Sequence, residues 1–367
     1  MAETLRPPVA PNLPVATLEY SNIYEDQYSN VLRLYFNQLD NYTRSLGGNQ
    51  GGALINFPYG AWNSTYNQSN GDITVAYPVT MDTTDYSSGI SVTNQTTTFL
   101  GGISNGSGSA GTTLNVTSIV TGNGAILPGA QITGTGVTSN TRVVTQLTSS
   151  EATAATHTYV SGGASGAYTF VINSSSGVVV GQVISGTGIP SGTLVDAFDS
   201  LTNTVTLSRA LTLQAAGTYT FKPAGGTGTY TVSISQLVSA STSLVSSLPS
   251  QILFGVAGLY NIQFSLQVEN TTNAQETFDV WFRKNGVDID NSNTEYTIPA
   301  RKSASLYGYA VPALNFYIDM AVNDYLQIMW AVSANGVSIQ YQAAKTSPVR
   351  PAIPSAIVTA AFVSNVF

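Results

Sequence analysis

One segment of this 367-residue chain carries a helical period; everywhere else apolar residues alternate with polar ones or sit between glycine turns. A lone helix has no second helix to pack on, so the architecture is confined to the mainly β class. In the helical segment the apolar and aromatic residues are Tyr24, Tyr28, Val31, Tyr35, Leu39, Tyr42 and Leu46, in steps of 4, 3, 4, 4, 3 and 4. Asn22 as N-cap, Glu25 three residues on and the stop at Gly47-Gly48 predict a helix over Ile23–Leu46. Leu32, Leu34 and Phe36 widen its apolar face. Such a face lies on a sheet of its own chain, on copies of itself or on another protein. Met1–Pro14, with Pro7, Pro8, Pro11 and Pro14, reads as an extended arm able to drape over a partner surface. The seven stripe residues are the candidate assembly interface.

Composition removes most chemistry. Charged residues make up 8% of the chain and the formal net charge is −7, so no basic footprint for nucleic acid exists. No cysteine is present, which rules out disulfides, thiolate metal sites and a cysteine nucleophile. The single histidine, His157, leaves little for a histidine metal centre. No apolar run is long enough to span a bilayer, and Met1–Ala10 lacks the apolar region of a signal peptide. A hydrophobic fraction of 43% still supplies cores. Solubility resting on hydroxyls and amides is the pattern of a rigid extracellular or particle-surface protein.

The remainder divides by pattern. Residues 1–46 are arm and helix, and 47–110 a mixed β and linker region whose aromatics Phe57, Tyr59, Trp62 and Tyr66 follow a glycine-rich link. The stretch Gly101–Gly111 reads as loop. An internal repeat follows: Gly129, Ile132, Gly134, Gly136, Thr141 and Val143 map onto Gly181, Ile184, Gly186, Gly188, Thr193 and Val195. A second echo links GAYTF at Gly166–Phe170 to GTYTF at Gly217–Phe221. Two small tandem β-modules are expected, 111–165 and 166–233, contacting mainly their neighbours, so that removing Gly111–Pro223 leaves both ends folded. The glycine pairs do not make a phosphate loop, because no capped helix and no lysine follow them.

The last third, 250–367, reads as strands without helix signal. Ile262, Phe264, Leu266 and Val268 alternate on one face, and Phe278–Arg283 runs into the tight-turn pair Asn285-Gly286. Further strands fit Ala304–Val311, Tyr325–Val332, Val337–Ala343 and Ala356–Val363, which together mean a β-sandwich or jelly roll. Its large apolar residues exceed what one core holds, so Trp281, Phe316, Tyr325 and Trp330 are candidates for a trimer interface.

No catalytic, metal or cofactor set is assigned. His157 has no nucleophile-elbow sequence to serve and reads as a satisfied or surface histidine. Asp288, Asp290 and Glu295 offer oxygen ligands at calcium-like spacing, without the glycine and distal glutamate of a calcium loop. The same carboxylates are open to a glycosidase reading or to that of a solvated hairpin loop. Asn-x-Ser/Thr triplets at Asn41, Asn63, Asn94 and Asn270 are expected by chance in this composition. The 20 tyrosines, against 13 phenylalanines, leave sugar stacking open beside core burial.

The segments Gly258–Phe264, Val280–Gly286, Asn323–Trp330 and Pro348…Pro351…Pro354–Val358 resemble the jelly-roll heads of the tumour necrosis factor and complement globular-domain superfamily, as found in phage structural proteins. Asn30–Asn41 is similar to the N-terminus of virion proteins of marine cyanophages, and Gly111–Ser233 to small β-modules inserted in such proteins. The resemblance implies a homotrimeric, non-enzymatic component on the surface of a bacteriophage virion. It implies a tail or fibre-type appendage anchored among other virion proteins and contacting host glycans, without nucleic-acid binding or membrane insertion. The alternative is a capsid decoration protein that stabilises the head shell; a polysaccharide depolymerase ranks behind both, since two 50-residue modules are too few for a long β-helix.

Overall fold

The computed structural model describes residues 8–9, 11–15, 19, 21–47, 57–122 and 126–364. The chain falls into two compact units, Met1–Pro58 and Tyr59–Phe367. The first contains one helix, Asn22–Gly47. Its cap is Ser21 rather than Asn22: the Ser21 hydroxyl accepts from Tyr24 N at 3.4 Å and the Ser21 carbonyl from Glu25 N at 3.1 Å. Most of the Met1–Pro14 arm and the Gly48 stop lie outside the described residues.

The second unit is mainly β and built by nesting. Outermost is the jelly-roll sandwich. One of its sheets runs Tyr59–Ser64, Ala356–Ser364, Gly258–Leu266, Ala313–Met320, all antiparallel. The facing sheet carries Glu276–Lys284, Tyr325–Val332 and the end of Val238–Phe254. The inward-pointing residues Tyr260, Ile262, Phe264 and Leu266 meet Phe278, Val280, Phe282, Ile328 and Trp330 across the core. That core is completed by Trp62, Tyr77, Val79, Met81 and Ile90. The head is therefore not 250–367 alone: residues 59–90, part of the stretch expected to be mixed β and linker, supply an edge strand and five large side chains. Turn Asn285 and Gly286 both have positive φ, 51° and 84°, as the tight hairpin requires. The expected strand Ala304–Val311 shortens to Gly308–Ala310, and Val337–Ala343 to Val337–Ile339.

From the head, Ile90–Ser104 and Val238–Phe254 leave together as a long antiparallel pair, from Ile90↔Phe254 to Ile103↔Val238. The pair begins in the head core (Ile90, Phe254) and ends in a second core (Phe99, Leu244). Gly101–Ser104 is thus strand, and only the turn between it and Gly111 is loop. The second core belongs to module 1, whose six strands are Ile90–Ser104, Gly111–Gly122, Gln131–Gly134, Val143–Ser149, Gly228–Gln236 and Val238–Phe254. Module 2, with its own core around Phe170, Val205, Tyr219 and Phe221, comprises Ala155–Gly162, Thr169–Ile172, Val183–Ser185, Val195–Asp199, Thr204–Leu207 and Thr218–Lys222. Numbered within each module, both sheets have the order 3-6-1-2-5-4. Module 2 sits inside the hairpin between strands 4 and 5 of module 1, where Ser149 still pairs Gly228.

Module 2 is inserted within module 1 instead of following it, so the boundaries 111–165 and 166–233 do not hold. Residues 155–162 belong to module 2, and Gly228–Gln236 returns to module 1. The repeat itself is reproduced bond for bond. Gly129 N donates to Val143 O and Gly181 N to Val195 O, both at 2.8 Å. Thr141 and Thr193 each turn a hydroxyl to a carbonyl three residues back, at 2.7 Å. The echo of GAYTF in GTYTF is different in kind: it relates strands 2 and 6 of the same module.

Candidate functional site

The outward side of the head sheet that starts at Tyr59 is the candidate site. Strand alternation sends one residue in two outward, and the register aligns them into rows. One row reads Tyr59, Ala361, Asn261, Tyr317; the next Ala61, Thr359, Gln263, Asn315; the third Asn63, Ile357, Ser265, Ala313. Not one of these twelve carries a charge. Tyr317 is 56% exposed and Tyr59 45%. Charge appears only at the margins, as Asp319 beside Leu259 and as Asp85, whose carboxylate accepts from Asn63 at 2.9 Å. The opposite outer face is unlike it: Asp279 pairs Glu295 across strands, and Arg283 and Asp288 form an ion pair at 2.6 Å. A flat, uncharged face of amides, hydroxyls, tyrosines and aliphatics suits burial against another protein surface, because no ion has to be desolvated.

The four residues expected at a trimer interface are not brought together there. Phe316 points inward and stacks on Phe282, with ring centroids 5.0 Å apart. Trp330 is 1% exposed and stacks on Phe278 at 5.7 Å. Both are held by their own core. Trp281, half-buried, lies on the opposite outer face with its indole donating to Asp288 at 2.8 Å. Tyr325 lies on the same sheet beside the hairpin turn, its amide donating to Asn285 Oδ1 at 2.9 Å. The four interface candidates left out the alternates, above all Tyr317, and the signal passed over was the absence of charge at every second position of 259–265, 313–317 and 357–361.

The helix stripe is found on one side of Asn22–Gly47: Tyr24, Tyr28, Val31, Tyr35, Leu39 and Tyr42 are half-buried, while the Leu46 side chain lies outside the described residues. Tyr24 and Tyr28 stack at 6.0 Å. None of these residues belongs to the three buried cores.

The remaining candidates are held in local contacts. Asp288 accepts two hydrogen bonds from Arg283 and one from Trp281, so its oxygens are turned to donors rather than toward a cation or a sugar. Among the described residues no cluster of three metal-ligating side chains exists. His157 is buried against Phe221 and bonded to Ser176 O at 2.8 Å. A cleft of about 340 Å³ between the modules is lined by Leu147, Ile184, Ile189, Pro190 and Lys222, and the lysine ammonium already donates to Ser149 O at 3.2 Å.

What the nesting does build is a rigid junction where head and both modules meet. Arg142, 2% exposed, donates to Asn67 O at 3.1 Å and Gly129 O at 2.6 Å and lies 4.3 Å over the Tyr66 ring. Burial pushes its guanidinium below the usual arginine range, against the opposing pull of Tyr66 and Asp82. Its counterpart in module 2 is Leu194. Tyr77 of the head donates to Val144 O at 3.1 Å, and Arg209 of module 2 pairs with Asp72 of the head. Ser191 Oγ reaches Leu147 O at 3.0 Å.

No protein-family model and no curated protein matches this chain in sequence.

Proposed function

We propose that the protein is a structural component of a bacteriophage virion, a surface appendage whose N-terminus fixes it to the particle and whose head associates as a homotrimer. The observation that carries the proposal is the twelve-position uncharged face on an otherwise polar sandwich. Obligate interfaces bury more than ~2,000 Å² in total and are depleted of charge at their centre, and this face has that composition. The low overall charge, the likeness of the helix and head segments to phage virion proteins, and the stack of β-modules welded to the head support placement on the particle surface. There the modules are displayed for host adhesion. A capsid decoration role uses the same parts in a different place.

Two measurements test this. Light scattering of the intact chain gives three times the monomer mass, and Tyr317→Arg with Thr359→Arg reduces it to the monomer while the head stays folded. Quantitative mass spectrometry of purified particles then gives a few copies for a tail part and hundreds for a shell protein. A monomeric wild-type chain, or its absence from particles, overturns the proposal.

A further inference from the structure

At about 100° per residue, the seven stripe positions of the Asn22–Gly47 helix fall within about 80° of arc. Of the helix's five charged residues, Glu25 flanks the seam and Asp26, Arg33, Asp40 and Arg44 lie on the opposite side, with Arg44 and Asp40 paired at 2.8 Å. A helix that covers a globular core buries an apolar arc wider than ~100°, whereas a narrower seam is the mark of helix packed on helix. Half-buried Leu32 borders the seam, while Ile23, Leu34 and Phe36, which a broader buried face would have to include, are exposed.

The seam also repeats. Tyr24, Tyr35 and Leu46 are eleven residues apart, as are Tyr28 and Leu39, and Val31 and Tyr42. Gln27 and Gln38, uncharged and again eleven apart, flank it. Eleven residues make three turns at 3.67 residues each, so side chains in this pattern stay on one line along a nearly straight helix.

We infer that the helices of separate copies pack on one another along this seam, in parallel, as a straight to weakly right-handed bundle with an 11-residue repeat. The parallel sense rests on the homotrimer proposed above, since subunits related by one rotation axis present their helices in the same direction. Eleven residues separate Gly47 from Tyr59, the first residue of the uncharged face, a reach of at most ~40 Å. Helices tethered that closely to associated heads meet at roughly millimolar effective concentration. Ile23 and Leu34 on one flank of the seam and Phe36 on the other remain outside the bundle.

Because the chain has no cysteine, single cysteines report the packing in the intact protein. Tyr28→Cys and Tyr42→Cys sit in the seam; Arg33→Cys and Asp40→Cys sit opposite. Under mild oxidation both seam variants are expected to give covalent dimer at least five-fold faster than either opposite variant. No crosslink at the seam, equal crosslinking on both sides, or a crosslink at only one seam position (the antiparallel result) overturns the inference. The mass of each variant by light scattering separates the two readings. A trimer without seam crosslinks defeats the bundle and leaves the head interface, and seam crosslinks in a non-trimeric chain do the reverse.

Discussion

Arg142 offers the sharpest test of how the modules are held to the head. It is a buried cation whose two hydrogen bonds go to carbonyls, not to a carboxylate, and one of its terminal nitrogens, Nη2, has no hydrogen-bond partner among the described residues. Hydrogen bonds to a charged group are worth ~1.5–3 kcal/mol each and stacking on an aromatic ring ~0.5–2. Against these stands a desolvation cost of several kcal/mol for the ion. Arg142→Leu, the residue that module 2 carries at this point, removes both sides of that balance and is expected to cost only about 1–2 kcal/mol. Arg142→Lys keeps a buried charge, loses the planar contact with Tyr66 and cannot span both carbonyls with the same fork, so it should cost about 3–4 kcal/mol. Urea unfolding followed by the fluorescence of Trp62 and Trp330, both in the head core, orders the variants. A lysine variant as stable as the leucine variant would refute the view that a planar, multiply bonded guanidinium is what makes this burial tolerable.

Burial raises the Asp324 carboxyl, but hydrogen bonds from Lys284, Asn285 and the Ala321 amide outweigh it and bring the group down to about 2. The stability it adds to the Asn285-Gly286 hairpin is therefore full above the unfolded value of ~3.9 and disappears as pH falls through about 2; Asp324→Asn should remove that acid dependence from the hydrogen exchange of Tyr325. Excising 154–222 and closing the hairpin with a short turn should leave head and module 1 folded, whereas excising 111–223 removes three strands of module 1 and should yield aggregated or protease-sensitive protein. Gly136 and Gly188 have nearly the same φ, 82° and 79°. A Cβ at Gly188 meets Leu213 O at 2.7 Å, while one at Gly136 meets nothing within 4 Å. Gly188→Ala should thus lose clearly more thermal stability than Gly136→Ala, which bears only the ~1 kcal/mol backbone cost.

Much of the head was legible because its strands alternate cleanly, as in Tyr260–Val268. Parity was not. Phe316 and Tyr317 are both aromatic, and which one faces the core is decided by the pairing of Phe316 with Ile262, a long-range register that no local pattern encodes. Domain limits failed for a related reason. The partner of Ile90–Ser104 is Val238–Phe254, more than a hundred residues away, so the chain between them looks like a series of beads when it is an insertion. The repeat located the turns of each module accurately, since a positive φ demands glycine there, but turns do not mark edges. At the helix, the hydroxyl of Ser21 caps the backbone one residue before the expected Asn22.

The nesting also dictates an order of synthesis. Tyr59–Ser64 leaves the ribosome early, yet its partner strand is Ala356–Ser364, so the first-made piece of the head waits for the last. Module 2 is the first body whose strands are all present, at Lys222, module 1 the next, at Phe254, and the head closes only near Ser364. The usual N-to-C sequence of domain folding is turned inside out: the outlying module forms before the body that carries it. Until then the aromatic strand residues at Trp62 and Tyr77 stay uncovered on the nascent chain, and the head sheet cannot close before Ala356–Ser364 has emerged.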